Sequence, residues 1–114
     1  MDEINYASAK TIAQAIRDKE VSAVEVVEAH LQRIDEVNPK LNAVVHLAAD
    51  RALSEAREAD AATARGESKG PLHGVPIGVK DIFFTEGVRT TACSPIYADF
   101  VPDYDSTTVA RLKR

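Results

Sequence analysis

Cysteine is nearly absent. Cys93 stands alone among 114 residues, so no disulfide can close within the chain, and a reducing, cytoplasmic setting is the expectation. An excess of positive charge is also missing. Fourteen Lys and Arg against 18 Asp and Glu leave a formal charge of −4, which argues against a sequence-independent grip on nucleic acid, since that grip needs clustered cations. No apolar run approaches the ~18 residues of a membrane helix, and the acidic opening Met1-Asp2-Glu3 lacks the apolar core of a secretory leader. Neither an internal repeat nor a low-complexity tract is present. The three histidines, His30, His46 and His73, have no metal-binding spacing. Without a P-loop or a dinucleotide fingerprint, no cofactor is expected. What remains is ordinary globular usage, 45% hydrophobic and 28% charged, enough for one domain.

The first half reads as helical. Ser8 is placed to cap a helix whose inner face carries Ala9, Ile12, Ala13 and Ile16. Lys19-Glu20-Val21 is a short connection, and Ser22-Ala23-Val24-Glu25 is a capping box. Behind it Val24, Val27, Leu31 and Ile34 form an apolar stripe. His30 lies on its flank, where a partly buried, hydrogen-bonded histidine is expected. Asn38-Pro39 is expected to end this helix, because a residue before proline is pushed out of the α region. The stretch 41–47 is short and partly β-branched, which suggests extended chain. A third helix is expected from about Asp50 to Arg65, with Gly66 as its terminator and Ala49, Ala52, Leu53, Ala56 and Ala59 facing inward.

Beyond Gly66 the pattern changes. All five glycines lie between positions 66 and 87, and four of the five prolines follow Gly66. Residues 75–82, Val-Pro-Ile-Gly-Val-Lys-Asp-Ile, read as a strand covered on both faces. Asp105-Ser106-Thr107-Thr108 caps a last helix that begins Val109-Ala110-Arg111-Leu112. A doubly covered strand needs strand neighbours, and this sequence offers only one other candidate. The expectation is an α/β fold seen in part. Positions 1–66 would form the mainly helical portion of a single domain, and 67–114 its lysine-bearing strand, loop and next helix.

The chemistry centres on Lys80. Alternation along a strand puts Gly78 and Lys80 on one face, so the missing side chain at Gly78 leaves room beside the amine. A lysine inside an apolar strand is disfavoured in its charged form, and a neutral amine is a general base. The competing reading is that Lys80 and Asp81 mark a solvated strand end, since buried lysines are rare. Cys93 and His73 are the residue types of a Cys–His pair, but no local signature joins them, and an inert loop cysteine is the commoner case.

Three segments carry a family resemblance. Gly70-Pro71-Leu72-His73-Gly74-Val75-Pro76-Ile77-Gly78-Val79-Lys80-Asp81 resembles the lysine-bearing segment of the amidase signature family. Gly87 through Ser94 resembles its Gly-x-x-Thr-Thr loop, which places Thr90, Thr91 and Ser94 beside the site. The segment 103–112 resembles the capped helix that follows, and the N-terminal helices match the family's opening. The resemblance implies a mixed central sheet flanked by helices. It also implies a Ser-Ser-Lys hydrolase in which the lysine draws a proton through a relay serine from a nucleophilic serine, so that an acyl-enzyme forms. Lys80 falls on the lysine position, with Gly78, Asp81, Thr90, Thr91 and Ser94 as supporting residues.

The family's two serines sit in a Gly/Ser-rich run well beyond the lysine. Here Ser8, Ser22, Ser54, Ser68, Ser94 and Ser106 all lack a glycine neighbour, so the triad's serines fall outside this chain, which alone is expected to be inactive. Three readings follow. The first is the N-terminal portion of an amidase acting on a small-molecule amide, completed by the rest of the same domain, with no membrane and no direct nucleic-acid contact by this segment. The second is the amidase component of a tRNA-dependent amidotransferase, which adds partner subunits. The third is a non-catalytic helical interaction module.

Overall fold

The computed structural model describes residues 3–114, which divide into a compact unit ending at Pro76 and a second unit, Ile77–Arg114. The first holds a short 3₁₀ turn, Ile4–Tyr6, and three helices: α1 (Ala9–Arg17), α2 (Ala23–Leu41) and α3 (Ala49–Ala64).

Helix α1 starts where Ser8 Oγ accepts the Thr11 N–H at 3.1 Å. It ends with Lys19 in the left-handed region, φ 60°, while the Glu20 N–H donates to the Ala15 carbonyl. Between these ends Ile12, Ala13, Ala15 and Ile16 are buried. Ile12, Ala15 and Ile16 pack with Val21, Ala23, Val26 and Val27 and with Ala56 and Ala59 of α3 into one core, flanked by half-buried Leu31, Leu53 and Val75. Alanines dominate the α3 face, so the helices approach closely while burying little area per residue.

The start of α2 is closed by side chains from two helices. The capping box is complete: Glu25 N–H donates to Ser22 Oγ at 3.1 Å, and the Ser22 N–H donates to Glu25 Oε2 at 2.8 Å. From α3, Asp60 adds its carboxylate. Oδ1 accepts the Ala23 N–H at 2.6 Å, and Oδ2 accepts the Val24 N–H at 3.1 Å. The N–H groups of Ala23, Val24 and Glu25, which a helix start leaves without intrahelical partners, are thus all taken.

Three expectations are corrected. Helix α2 passes through Pro39 to Leu41 and is capped by Asn42 in the left-handed region, φ 49°. Proline so near a helix end forfeits one ladder bond, and the exit is stabilised otherwise. Asn38 accepts the Val44 N–H at 2.9 Å and donates to the Val44 carbonyl at 3.1 Å. The stretch 41–47 forms no strand: Leu41, Val45 and Leu47 are exposed, and Val44 bonds to a side chain instead of a neighbouring strand. Nor does 75–82 form a strand. Among the described residues no strand lies beside it, and an extended segment without a ladder has no cooperative reason to stay regular.

Other expectations stand. Helix α3 ends at Ala64 with Gly66 at φ 75° behind it. His30, half-buried, places Nδ1 2.7 Å from the Val26 carbonyl one turn earlier. After α3 the chain folds back, and Gly74, φ 79°, passes so close to the core that a Cβ there would lie 3.0 Å from both Ala23 Cβ and Ile16 Cδ1.

In the second unit the stretches 84–90 and 100–106 run alongside one another in opposite directions. The Thr90 N–H donates to the Phe100 carbonyl at 2.9 Å, Gly87 to Pro102 at 3.0 Å and Ser106 to Phe84 at 2.8 Å. Phe84 fixes them, with ring centroids 5.2 Å from Phe100 and 5.4 Å from Tyr104. A 3₁₀ turn, Pro95–Tyr97, closes the loop, and α4 (Thr107–Lys113) follows, capped by Ser106 with Val109 buried.

Two outcomes are expected. Asp60→Ala should lower the stability of the helical unit by about 2–4 kcal/mol, because two helix-start N–H groups lose their acceptor. Asp60→Asn, with one oxygen left, should fall between. Urea unfolding followed by circular dichroism measures both. The second concerns acid. Bonds from the Ser22 backbone N–H, and then its hydroxyl, hold the Glu25 carboxyl below its ordinary value of 4.5. A carboxylate lowered in this way contributes stability above its unfolded value and loses it as pH falls through the folded one. The stability difference between the parent chain and Glu25→Gln should therefore be present at neutral pH and close below that ordinary value.

Candidate active site

Lys80 lies at the head of a tight turn in the second unit. Its carbonyl accepts the Ile82 N–H at 2.7 Å and the Phe83 N–H at 3.0 Å. The side chain is exposed, which agrees with the solvated-end reading of the sequence and not with the covered strand position. The reason is the missing ladder, since Ile77 and Ile82 are each 50% exposed on either side of it. Gly78 leaves the open space expected beside the lysine: a Cβ there would meet nothing within 4 Å.

Asp81, the next residue, is the most heavily engaged of the supporting residues. Its Oδ1 accepts the Thr91 N–H at 2.8 Å, its Oδ2 accepts the Thr91 hydroxyl, and its backbone carbonyl accepts the Ala92 N–H at 2.8 Å. Thr91 is 8% exposed and Thr90 4%, the buried polar pair of this unit. Thr90 is tied in through its hydroxyl, which donates to the Val88 carbonyl at 3.1 Å. Ala92 and Cys93 follow at φ 49° and 55°, a reversal that L-residues seldom adopt. Ser94 closes it: its N–H donates to the Thr91 carbonyl at 2.9 Å, and its Oγ caps the next turn at Ile96. Lys80, Asp81, Thr90, Thr91 and Ser94 therefore belong to one connected loop system. The pairing of Asp81 with Thr91 spans ten positions of irregular chain, and no periodicity marks it in the sequence.

The Cys–His alternative gains nothing. Cys93 is exposed. Both nitrogens of His73 are committed in the first unit. The Lys69 N–H donates to Nδ1 at 3.1 Å, so the proton sits on Nε2, which lies 3.0 Å from both the Ala59 carbonyl and Thr63 Oγ1. Among the described residues no group of three or more His, Cys, Asp or Glu is placed to hold a metal ion, and no helix is long and apolar enough to cross a membrane. Two surface depressions, of about 320 and 450 Å³, lie on the first unit and contain none of the site residues.

The model of the family described as Amidase matches residues 25–114, which include Lys80 and its whole loop system. The chain belongs to the amidase family. It is 48% identical over 111 residues to a glutamyl-tRNA(Gln) amidotransferase subunit from Carboxydothermus hydrogenoformans, a match covering 97% of this chain and 23% of that relative. The corresponding protein of Moorella thermoacetica is 47% identical with the same coverage. Among solved structures, an inhibitor-bound "unexpected vestigial protein complex" that reveals "the evolutionary origins of an s-triazine catabolic enzyme" matches with a TM-score of 0.88 and 35% identity, covering 94% of this chain and 24% of that one. The chain thus spans about a quarter of the length of the relatives it matches.

The exposure around Lys80 has a measurable consequence. Ile77, Val79, Ile82 and Phe83 all present apolar surface within seven positions, and unpaired apolar backbone is an association hazard. This chain should bind ANS, and should form oligomers in sedimentation. Replacing Ile77 and Val79 with Ser should reduce both. A parent chain that neither binds the dye nor associates would show that this surface is covered.

Proposed function

We propose that this chain is the N-terminal portion of a single amide-hydrolysing domain and that Lys80 is its general base, with the two serines of a Ser-cisSer-Lys triad outside the chain. One observation carries the reading: Lys80, which the resemblance assigns to the lysine position of the family's motif, lies inside the matched segment 25–114, with open space at Gly78 and a loop anchored behind it by Asp81 and Thr91. On this reading the sheet that residues 75–82 lack is supplied by the rest of the domain. Covering the segment would then desolvate the lysine and favour its neutral amine. That amine takes the relay serine's proton, and the relay serine takes the nucleophile's. The nucleophile's oxygen then attacks the amide carbon, the nitrogen leaves with a returned proton, and water cleaves the resulting ester.

A specific observation favours a narrower reading. The relatives at 48% and 47% identity are named as subunits of glutamyl-tRNA(Gln) amidotransferases, whereas the structural match named for an s-triazine catabolic enzyme stands at 35%. The substrate amide would then be the side chain of glutamine, and the ammonia released would pass to partner subunits in a cytoplasmic complex. The interaction-module reading does not account for membership in an enzyme family.

Lys80→Ala in the full-length enzyme should reduce kcat by roughly 10²–10⁴-fold, the usual contribution of a general base. Truncating its methylene stem should change stability by only about 1 kcal/mol, typical of a point mutant. Lys80→Arg should be as inactive, since a guanidinium keeps its proton. Release of ammonia from glutamine and from simple amides measures both variants and separates the two substrate readings. Near-normal turnover by Lys80→Arg would remove Lys80 from the triad.

A further inference from the structure

We propose that Asp81 is a positioning residue for Lys80, acting through Thr91; the proposal rests on the reading of Lys80 as the base. A general base is effective only when its proton-accepting atom is held within hydrogen-bond reach of its partner. Lysine is poorly suited to this, because its nitrogen sits at the end of a flexible four-carbon stem. The backbone itself must therefore be fixed. Residues 77–80 receive no help from a ladder within this unit, and the apolar side chains around them are exposed.

Within this unit the lysine's backbone is anchored by the residue after it, and a sheet supplied to 75–82 by the rest of the domain would leave that anchor in place. The Asp81 carboxylate holds Thr91 at two points, the backbone N–H and the hydroxyl, and the Asp81 carbonyl holds the Ala92 N–H. Thr91 is itself immobilised. It is buried, its carbonyl accepts the Ser94 N–H at 2.9 Å, and its neighbour Thr90 is bonded to Phe100. The ring cluster of Phe84, Phe100, Tyr104 and Tyr97 stands behind that bond. Three bonds thus fasten the residue that follows Lys80 to Thr91 and Ala92, beside the buried threonines of the unit. These bonds run to Thr91 and Ala92, and the role proposed for Asp81 is accordingly one of geometry, with no proton transfer.

The test uses the full-length enzyme and four variants: Asp81→Ala, Asp81→Asn, Thr91→Val and the double variant Asp81→Ala/Thr91→Val. Lys80→Arg is run beside them. Asp81→Ala should lower kcat about 10²-fold with KM near the parent value, the scale of a 1 Å misplacement. Asp81→Asn should recover most of the rate, because the amide keeps an oxygen for the Thr91 N–H and offers its nitrogen to the Thr91 hydroxyl. Thr91→Val, which loses the hydroxyl alone, should cost about tenfold. The double variant should be no slower than Asp81→Ala, the signature of one shared interaction. The pH profile of kcat/KM should drop in height without moving along the pH axis, since the base is displaced and its chemistry is unchanged.

Parent-like kcat in Asp81→Ala, with Lys80→Arg inactive, would overturn the proposal and leave the base assignment intact. An Asp81→Asn variant as slow as Asp81→Ala, or a shifted pH profile, would mean that Asp81 acts by its charge, and would also overturn it. Normal turnover by Lys80→Arg would remove the base assignment and the proposal with it. If Asp81→Ala does not fold, Thr91→Val decides: parent-like kcat there overturns the proposal.

Discussion

Aspartate carboxylates that accept backbone N–H groups from distant parts of the sequence hold each of the two units of this chain in register. Asp60 reaches from α3 to the first turn of α2, and Asp81 reaches across ten positions to Thr91. Asp105 does the same for Glu86 at 2.8 Å and also pairs with Lys113 at 2.6 Å. Each bond is charge-assisted, which makes it roughly twice as strong as a neutral one. The need for such bonds follows from composition. The α3 face is largely alanine, and the second unit buries little more than Val109 and Pro102 beside its aromatic cluster. Where apolar bulk is modest, directional bonds set the geometry that packing would otherwise set.

The same constraint accounts for the shape of the candidate site. Backbone donors in irregular loops have no helical or ladder partner, and leaving them buried without an acceptor is costly. The Thr90–Ser94 reversal contains two left-handed residues that are not glycine, Ala92 and Cys93. Such a conformation persists only where neighbouring bonds determine it. The Asp81 carboxylate and carbonyl on one side, and the Thr91–Ser94 turn on the other, supply those bonds. Lys80 itself remains exposed on the open side of this framework, on a segment whose apolar residues have no cover within their own unit.

The helices were legible in the sequence because their signals are local. Ser8, Ser22 and Ser106 cap the helices they precede, and Gly66 follows the third helix as a terminator. Pro39 misleads because its effect on the residue before it is a preference, and two bonds between Asn38 and Val44 stabilise the exit against it. The buried face of α2 differs in part from the stripe that the spacing predicts. Val27 is buried as expected, but Ala23 and Val26 are the best covered, while Val24, Leu31 and Ile34 are only half-buried. A small alanine against Ile16 and Gly74 seals more completely than a larger side chain at the margin of the contact.

Residues 75–82 mark the limit of a purely local reading. Alternation and β-branching state how such a segment pairs if strands lie on both sides of it, and pairing is a property of the neighbours. Sequence alone determined the helix starts, the stretch that resembles a family motif and the gathering of Gly and Pro after position 66. Those depend on residues within a turn or two of one another. Only the tertiary structure decided that Asp60 completes the start of α2, that Asp81 holds Thr91, and that the lysine segment is unpaired here. Hydrogen bonds between distant segments leave no periodic trace in the chain, because the residues that make them need meet only once, in the folded molecule.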